Sequence, residues 1–102
     1  MAFPQEVTQE IVRICSPRRI FLYNEKRTLS TDKLKAASFC VVIPSGSDRD
    51  ALLHDLYLSI DADIPLNFTL YTTSEWEELN EDPASYAAWI GRKGRVVYDT
   101  EA

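Results

Sequence analysis

An α/β (α+β) single domain spanning residues 1–102, a small mixed sheet flanked by helices, is what the sequence predicts. Three observations carry this. Ser38–Ile43 is a dense run of β-branched and aromatic residues, and Leu66–Thr72 alternates apolar with polar side chains. Between and around them, apolar residues recur at helical spacing.

The elements follow in order. Pro4 to Cys15 is a helix, with proline in its first turn, Val7, Ile11, Ile14 and Cys15 on one stripe, and Pro17 ending it. Ile20–Tyr23 is a short strand apolar on both faces, as a central strand is. Asn24 to Lys35 is polar and predicts a loop with a turn of helix, anchored by Leu29 and Leu34. After the strand to Ile43, Pro44-Ser45-Gly46 breaks the chain. Ser47 then caps a helix from Asp48 to Ile60 whose inner face is Leu52, Leu53, Leu56, Tyr57 and Ile60. The third strand buries Leu66, Phe68 and Leu70. Ser74 with Glu77 spells a capping box for a helix through Trp76 and Leu79. Asp82-Pro83 opens another, with Tyr86, Trp89 and Ile90 inward and Gly94 at its C-cap. Val96–Tyr98 adds a last short strand.

Composition excludes several classes. Hydrophobic residues are 45% and charged residues 26%, which is globular rather than disordered. There is no apolar run of membrane-spanning length, and Met1–Glu10 has neither a basic start nor an apolar stretch, so no membrane association and a cytoplasmic location are expected. Cys15 and Cys40 are far apart in apolar surroundings, and the single histidine, His54, sits on a helix margin. These residues read as inert thiols and a solvated imidazole, not as a disulfide framework, a metal site or a catalytic dyad. Net charge is −5 but unevenly spread. Arg13–Lys35 holds seven basic and two acidic residues, net +5, whereas Ala36–Ile90 holds one basic and ten acidic, net −9. Such a chain is a poor nonspecific nucleic-acid ligand.

Several segments resemble the minimal nucleotidyltransferase domain of the polymerase-beta-like superfamily. Pro17–Tyr23 is similar to the strand leading into that family's Gly-Ser turn, Phe39–Ile43 to its second strand, and Ile64–Phe68 to its third. Thr72–Leu79, Asp82–Tyr86 and Gly91–Tyr98 follow its closing pattern. The resemblance covers nearly the whole chain, roughly Gln5 to Asp99, and implies the fold more than the chemistry.

Active members of that family transfer a nucleotide monophosphate with two magnesium ions. Two aspartates at i, i+2 on one strand and a third on the next hold the metals, because Mg²⁺ demands charged oxygen ligands. The register implied here places Ala36 and Ser38 at the paired positions and Asn67 at the third. Lys33–Ser47 and Ile64–Ser74 contain no Asp or Glu, so no shift of register restores a ligand. Asn24-Glu25 stands where the family has Gly-Ser; asparagine tolerates left-handed backbone, but Glu25 brings a carboxylate toward phosphate. Ser47-Asp48-Arg49-Asp50 imitates the metal-binding spelling, yet the helical spacing after it puts both carboxylates on a first turn.

The leading reading is therefore an inactive relative, with no catalytic or metal residue and no cofactor, that acts through protein contact. The resemblance implies a HEPN-type helical partner in a toxin–antitoxin-like pair, or a homo-oligomer. Two other readings stay open: transfer of nucleotide from ATP with magnesium through Asp48 and Asp50, and metal-independent phosphate binding by Lys26, Arg27, Lys33 and Lys35. The second competes with a plain solvated basic loop. Trp76, Tyr86 and Trp89 read as core or interface anchors rather than as a stacking platform.

Overall fold

The computed structural model describes residues 5–62 and 64–100. The first helix, α1 (Gln5–Cys15), buries Val7, Ile11 and Cys15, spaced four apart on one stripe. The expected proline start at Pro4 lies outside the described residues. Ser16, at φ 45°, and Pro17 end the helix. Then come β1 (Arg19–Arg27), β2 (Leu34–Ile43), α2 (Arg49–Ser59), β3 (Leu66–Thr72), α3 (Thr73–Asn80), α4 (Tyr86–Lys93) and β4 (Arg95–Asp99).

The strands form one mixed sheet in the order β3-β2-β1-β4. β1 is antiparallel to β2 and to β4, while β2 and β3 run parallel with α2 in the connection between them. The sheet is covered on both sides, which is why its central strands read as unbroken apolar runs. Ile20 and Leu22 of β1 and Ala37, Phe39, Val41 and Ile43 of β2 pack with α1 and Leu56 of α2 on one face. Phe21, Tyr23, Cys40 and Val42 pack with Trp76 of α3 and Ala87 and Ile90 of α4 on the other. This four-stranded mixed sheet between pairs of helices is the α+β architecture that the sequence predicts.

Several local expectations need correction. The segment Asn24–Lys35 is not a loop with helix. β1 continues to Arg27 and β2 begins at Leu34, so a hairpin closes through residues 28–33. Backbone pairing sustains these polar strand ends where no apolar pattern marks them. Leu34 packs against the core as expected, but Leu29 anchors nothing and is 107% exposed.

Asp48, not Ser47, caps α2: its carboxylate accepts the Ala51 N–H at 3.2 Å. Ser47 Oγ instead donates to the Pro44 carbonyl. Of the predicted inner face only Leu56 is fully buried; Leu52, Leu53 and Ile60 pack at its margins. Tyr57 is half exposed, with its ring edge on Phe68 and its hydroxyl accepting the Phe68 N–H on the outer edge of β3.

The capping box of α3 is Thr72 with Glu75, two residues earlier than Ser74 with Glu77. Ser74 and Thr73 instead bring their hydroxyls to Ser45 Oγ, tying the two loop ends together. Finally, α4 starts at Tyr86 under a Ser85 cap rather than at Asp82-Pro83, which turns Ala87 and Ile90 inward and leaves Tyr86 half exposed. Gly94 is the C-cap as predicted, at φ −78°, so spatial crowding rather than left-handed backbone selects glycine there. Leu66 is half-buried rather than core.

No helix among the described residues is long and apolar enough to cross a membrane.

Candidate functional site

The face of the sheet under α4 is where the sequence-derived positions meet. β1 and β2 pair Tyr23 with Ser38, and β2 and β3 pair Ser38 with Asn67. Paired residues share a face, so Tyr23, Ser38 and Asn67 form one row across three strands, about 4.8 Å apart. Ala36, two residues before Ser38, lies on the same face. The three positions that the resemblance marks for metal ligands are thus neighbours in space.

Directly beside this row the hairpin bulges. Tyr23 pairs with Ser38 and Lys26 with Ala36, so Asn24 and Glu25 together oppose the single residue Ala37. Asn24 has φ 50°, the left-handed conformation that the first residue of such a bulge takes. The Asn24-Glu25 step therefore occupies a special backbone turn, at the position where the resemblance would place the family's Gly-Ser. Glu25 does not face outward as a free carboxylate. Arg95 at the start of β4 donates to it twice, at 3.2 Å each, and Arg27 once at 3.0 Å. The Arg95 guanidinium first, then Arg27, holds this carboxyl below its ordinary value.

Above the row sits an aromatic cover. The Tyr23 hydroxyl reaches diagonally over β2 and shares a hydrogen bond of 3.2 Å with Thr69 Oγ1 of β3. Tyr86 and Trp89 of α4 stack on each other, with centroids 5.5 Å apart, and each presents an edge-to-face contact to Tyr23 at 6.1 Å. Burial pushes the Tyr23 phenol well above its usual range, against the opposing pull of the Thr69 hydrogen bond. It stays protonated at any physiological pH.

A methyl, a hydroxyl and a carboxamide make up the donor set at Ala36, Ser38 and Asn67. Ser38 is buried beneath the cover, and Lys26 enters on the same face through the bulge. This set does not fit a pair of magnesium ions, which need several full negative charges to offset their own. The one nearby carboxylate, Glu25, is already held by two arginines.

Asp48 and Asp50 sit elsewhere. They follow the far end of β2, past Ile43, about 17 Å along the strand from Ser38. Asp48 is committed to its helix cap, and among the described residues no cluster of His, Cys, Asp or Glu could hold a metal ion. His54 is exposed on α2. Of the four basic residues, only Lys26 joins the row; Arg27 pairs with Glu25 and donates to the Asp32 carbonyl. Lys33 and Lys35 stand out on the hairpin. A groove of about 650 Å³ lies at the opposite end of this face, where Val42 and Trp76 meet Arg18, Arg19, Glu77 and Glu81. It mixes both signs of charge and contains none of the predicted site residues.

Sequence reasoning missed the hydrogen bond between Tyr23 and Thr69. Tyr23 looked like the end of an apolar strand, and only its single hydroxyl, at the junction with a polar run, hinted otherwise. No family model, no curated protein and no solved structure matches the chain, so its functional reading rests on these residues and their geometry.

Proposed function

We propose that this chain is an inactive, nucleotidyltransferase-like scaffold of the cytoplasm that works by binding a protein partner. The HEPN-type helical protein that the resemblance implies is the partner of choice. One observation supports this most: the row Tyr23–Ser38–Asn67, with Ala36 beside it, brings the expected ligand positions together and carries no negative charge. A hydrogen-bonded phenol bridging β1 to β3 covers this row, which favours a packed scaffold over an open catalytic site. A scaffold without charged ligands and a half-exposed Tyr86 stacked on the partly buried Trp89 together favour binding over transfer.

Co-purification with the product of the adjacent gene tests the reading, combined with labelled ATP and Mg²⁺ added to the complex. A stable complex and no label on either protein are expected. Label transfer that Asp50→Ala abolishes would instead establish the nucleotidyltransferase reading, and failure to associate with the neighbour would remove the scaffold reading.

A further inference from the structure

We infer that the β1–β2 hairpin, residues 24–36, is a preformed docking arm that seats on an acidic protein surface, with Leu29 entering an apolar pocket there. This rests on the scaffold reading above and names its contact surface.

None of the residues from Asn24 to Ala36 is buried. At the tip, Leu29 is 107% exposed, the most exposed large apolar side chain among those described. A loop tip of this kind ordinarily carries small or polar residues, and one bare leucine there gains only when something covers it. The same hairpin carries Lys26, Lys33 and Lys35, all exposed and none in an ion pair among the described residues, against one exposed carboxylate in the turn, Asp32. Elsewhere the chain is acidic, and its cations there are often matched: Arg13 pairs with Glu10, Arg49 with Glu75, and Arg95 with Glu25.

The arm is also rigid in construction. Thr28 N–H donates to the Lys33 carbonyl at 2.9 Å and Asp32 N–H to the Thr28 carbonyl at 3.0 Å. Lys33 N–H donates to Thr28 Oγ1, the Thr28 and Thr31 hydroxyls bond to each other, and Arg27 donates to the Asp32 carbonyl. A tip fixed in this way loses little conformational entropy on docking, which favours affinity per contact.

The chemistry selects the occupant. Three lysines on an arm that ends in one apolar knob, outnumbering the Asp32 carboxylate of its turn, match a pocket rimmed by carboxylates, the arrangement in which an anchor supplies affinity and the rim supplies orientation and rate. Nucleic acid is repelled by the remainder of a chain of net charge −5. A single leucine is too little to hold a lipid surface. The groove near Trp76 on a second copy is no match, since Arg18 and Arg19 line it alongside its carboxylates.

The test is calorimetric titration of the purified adjacent-gene product with the wild-type chain, with Leu29→Asp and with the double variant Lys33→Glu/Lys35→Glu. Glu77→Lys/Glu78→Lys on α3 serves as a control, and circular dichroism checks that each variant folds. At least about a tenfold loss of affinity is expected for each hairpin variant. The salt dependence should weaken in the lysine variant, and the control should bind as wild type. Wild-type binding with unaffected hairpin variants overturns the arm and leaves the scaffold reading standing. No binding by the wild type overturns both. Parallel titrations with poly(U) RNA and phosphatidylserine vesicles, and sedimentation of the chain alone, complete the set. Binding or self-association there that depends on Leu29 or the lysines, with the protein complex unaffected, overturns the protein occupant.

Discussion

The hydroxyl of Tyr23 on β1 meets that of Thr69 on β3 at 3.2 Å, passing over the intervening strand at Ser38 and Cys40. The bond links the second-to-last and first strands of the sheet order across β2, on the face that carries Ser38 and Asn67. Removing the phenol oxygen with Tyr23→Phe keeps the ring and its contacts with Tyr86 and Trp89 but deletes this link. A loss of about 1 kcal/mol is expected, read as a lower urea midpoint at unchanged slope. No change in midpoint would mean that the bridge contributes nothing to stability.

Asn24 holds φ 50° at the bulge, a left-handed conformation that the short polar side chain of asparagine tolerates better than alanine does and that glycine adopts with no Cβ contact at all. Asn24→Ala should therefore cost about 1 kcal/mol, and Asn24→Gly should lie within a few tenths of wild type. Equal effects of the two substitutions would show that the side-chain amide, not the backbone angle, matters at this position.

Gly94 illustrates a different constraint. Its backbone is extended, so conformation does not demand glycine. An added Cβ would lie 2.8 Å from the Ile90 carbonyl oxygen and 3.2 Å from that of Leu22. Both are backbone atoms that cannot swing aside, so α4 would have to shift off β1. Gly94→Ala should destabilise by about 2 kcal/mol by thermal or urea unfolding, whereas Gly91→Ala, whose nearest neighbours are side-chain atoms at 3.6 Å and beyond, should be nearly silent.

How far the sequence leads is clear from these same residues. Val7, Ile11 and Cys15 declare a helix by their period, and the unbroken apolar run Phe39–Ile43 declares a strand buried on both faces. The hairpin ends do not, because Asn24–Arg27 and Leu34–Ala36 are strands by virtue of pairing with each other, a non-local cause. Around α3 the run Thr72-Thr73-Ser74, followed by Glu75, Glu77 and Glu78, permits more than one capping box. Only the end of β3 chooses Thr72. Ala36, Ser38 and Asn67 could be placed together from spacing and resemblance. The Tyr23–Thr69 bond joins residues 46 apart in the chain, and nothing local announces it.

Glu25 gives an acid-side prediction. Its pKa is depressed in the folded state, chiefly by Arg95, so it adds stability that is fully present above the ordinary carboxyl value of 4.5. That stability disappears as pH falls below this value. Because the pair is partly exposed, Glu25→Gln should cost less than about 1 kcal/mol at pH 7. The wild type and the variant should converge in stability as pH falls through the folded-state value of Glu25. A gap that persists at low pH would assign the effect to packing instead.

The two thiols set the alkaline limit. Burial pushes Cys40 up to about 12 and Cys15 up to about 11, the latter with a further push from Asp55, against an ordinary value of 9.0. A raised pKa means that folding favours the neutral thiol. The resulting stability is complete below pH 9 and is lost as pH rises from there through the folded-state values. Each thiol lowers stability by up to about 1.4 kcal/mol per pH unit within its window, so the urea midpoint should fall from pH 9 upward. At pH 8, Ellman's reagent should label neither cysteine of the native chain faster than the protein opens. Both should react at once in 6 M guanidinium, a concentration above the ~5 M midpoint of even hyperstable domains. Rapid labelling of the native protein would show that Cys15 or Cys40 reaches solvent through local motion, and the alkaline loss of stability should then be correspondingly smaller.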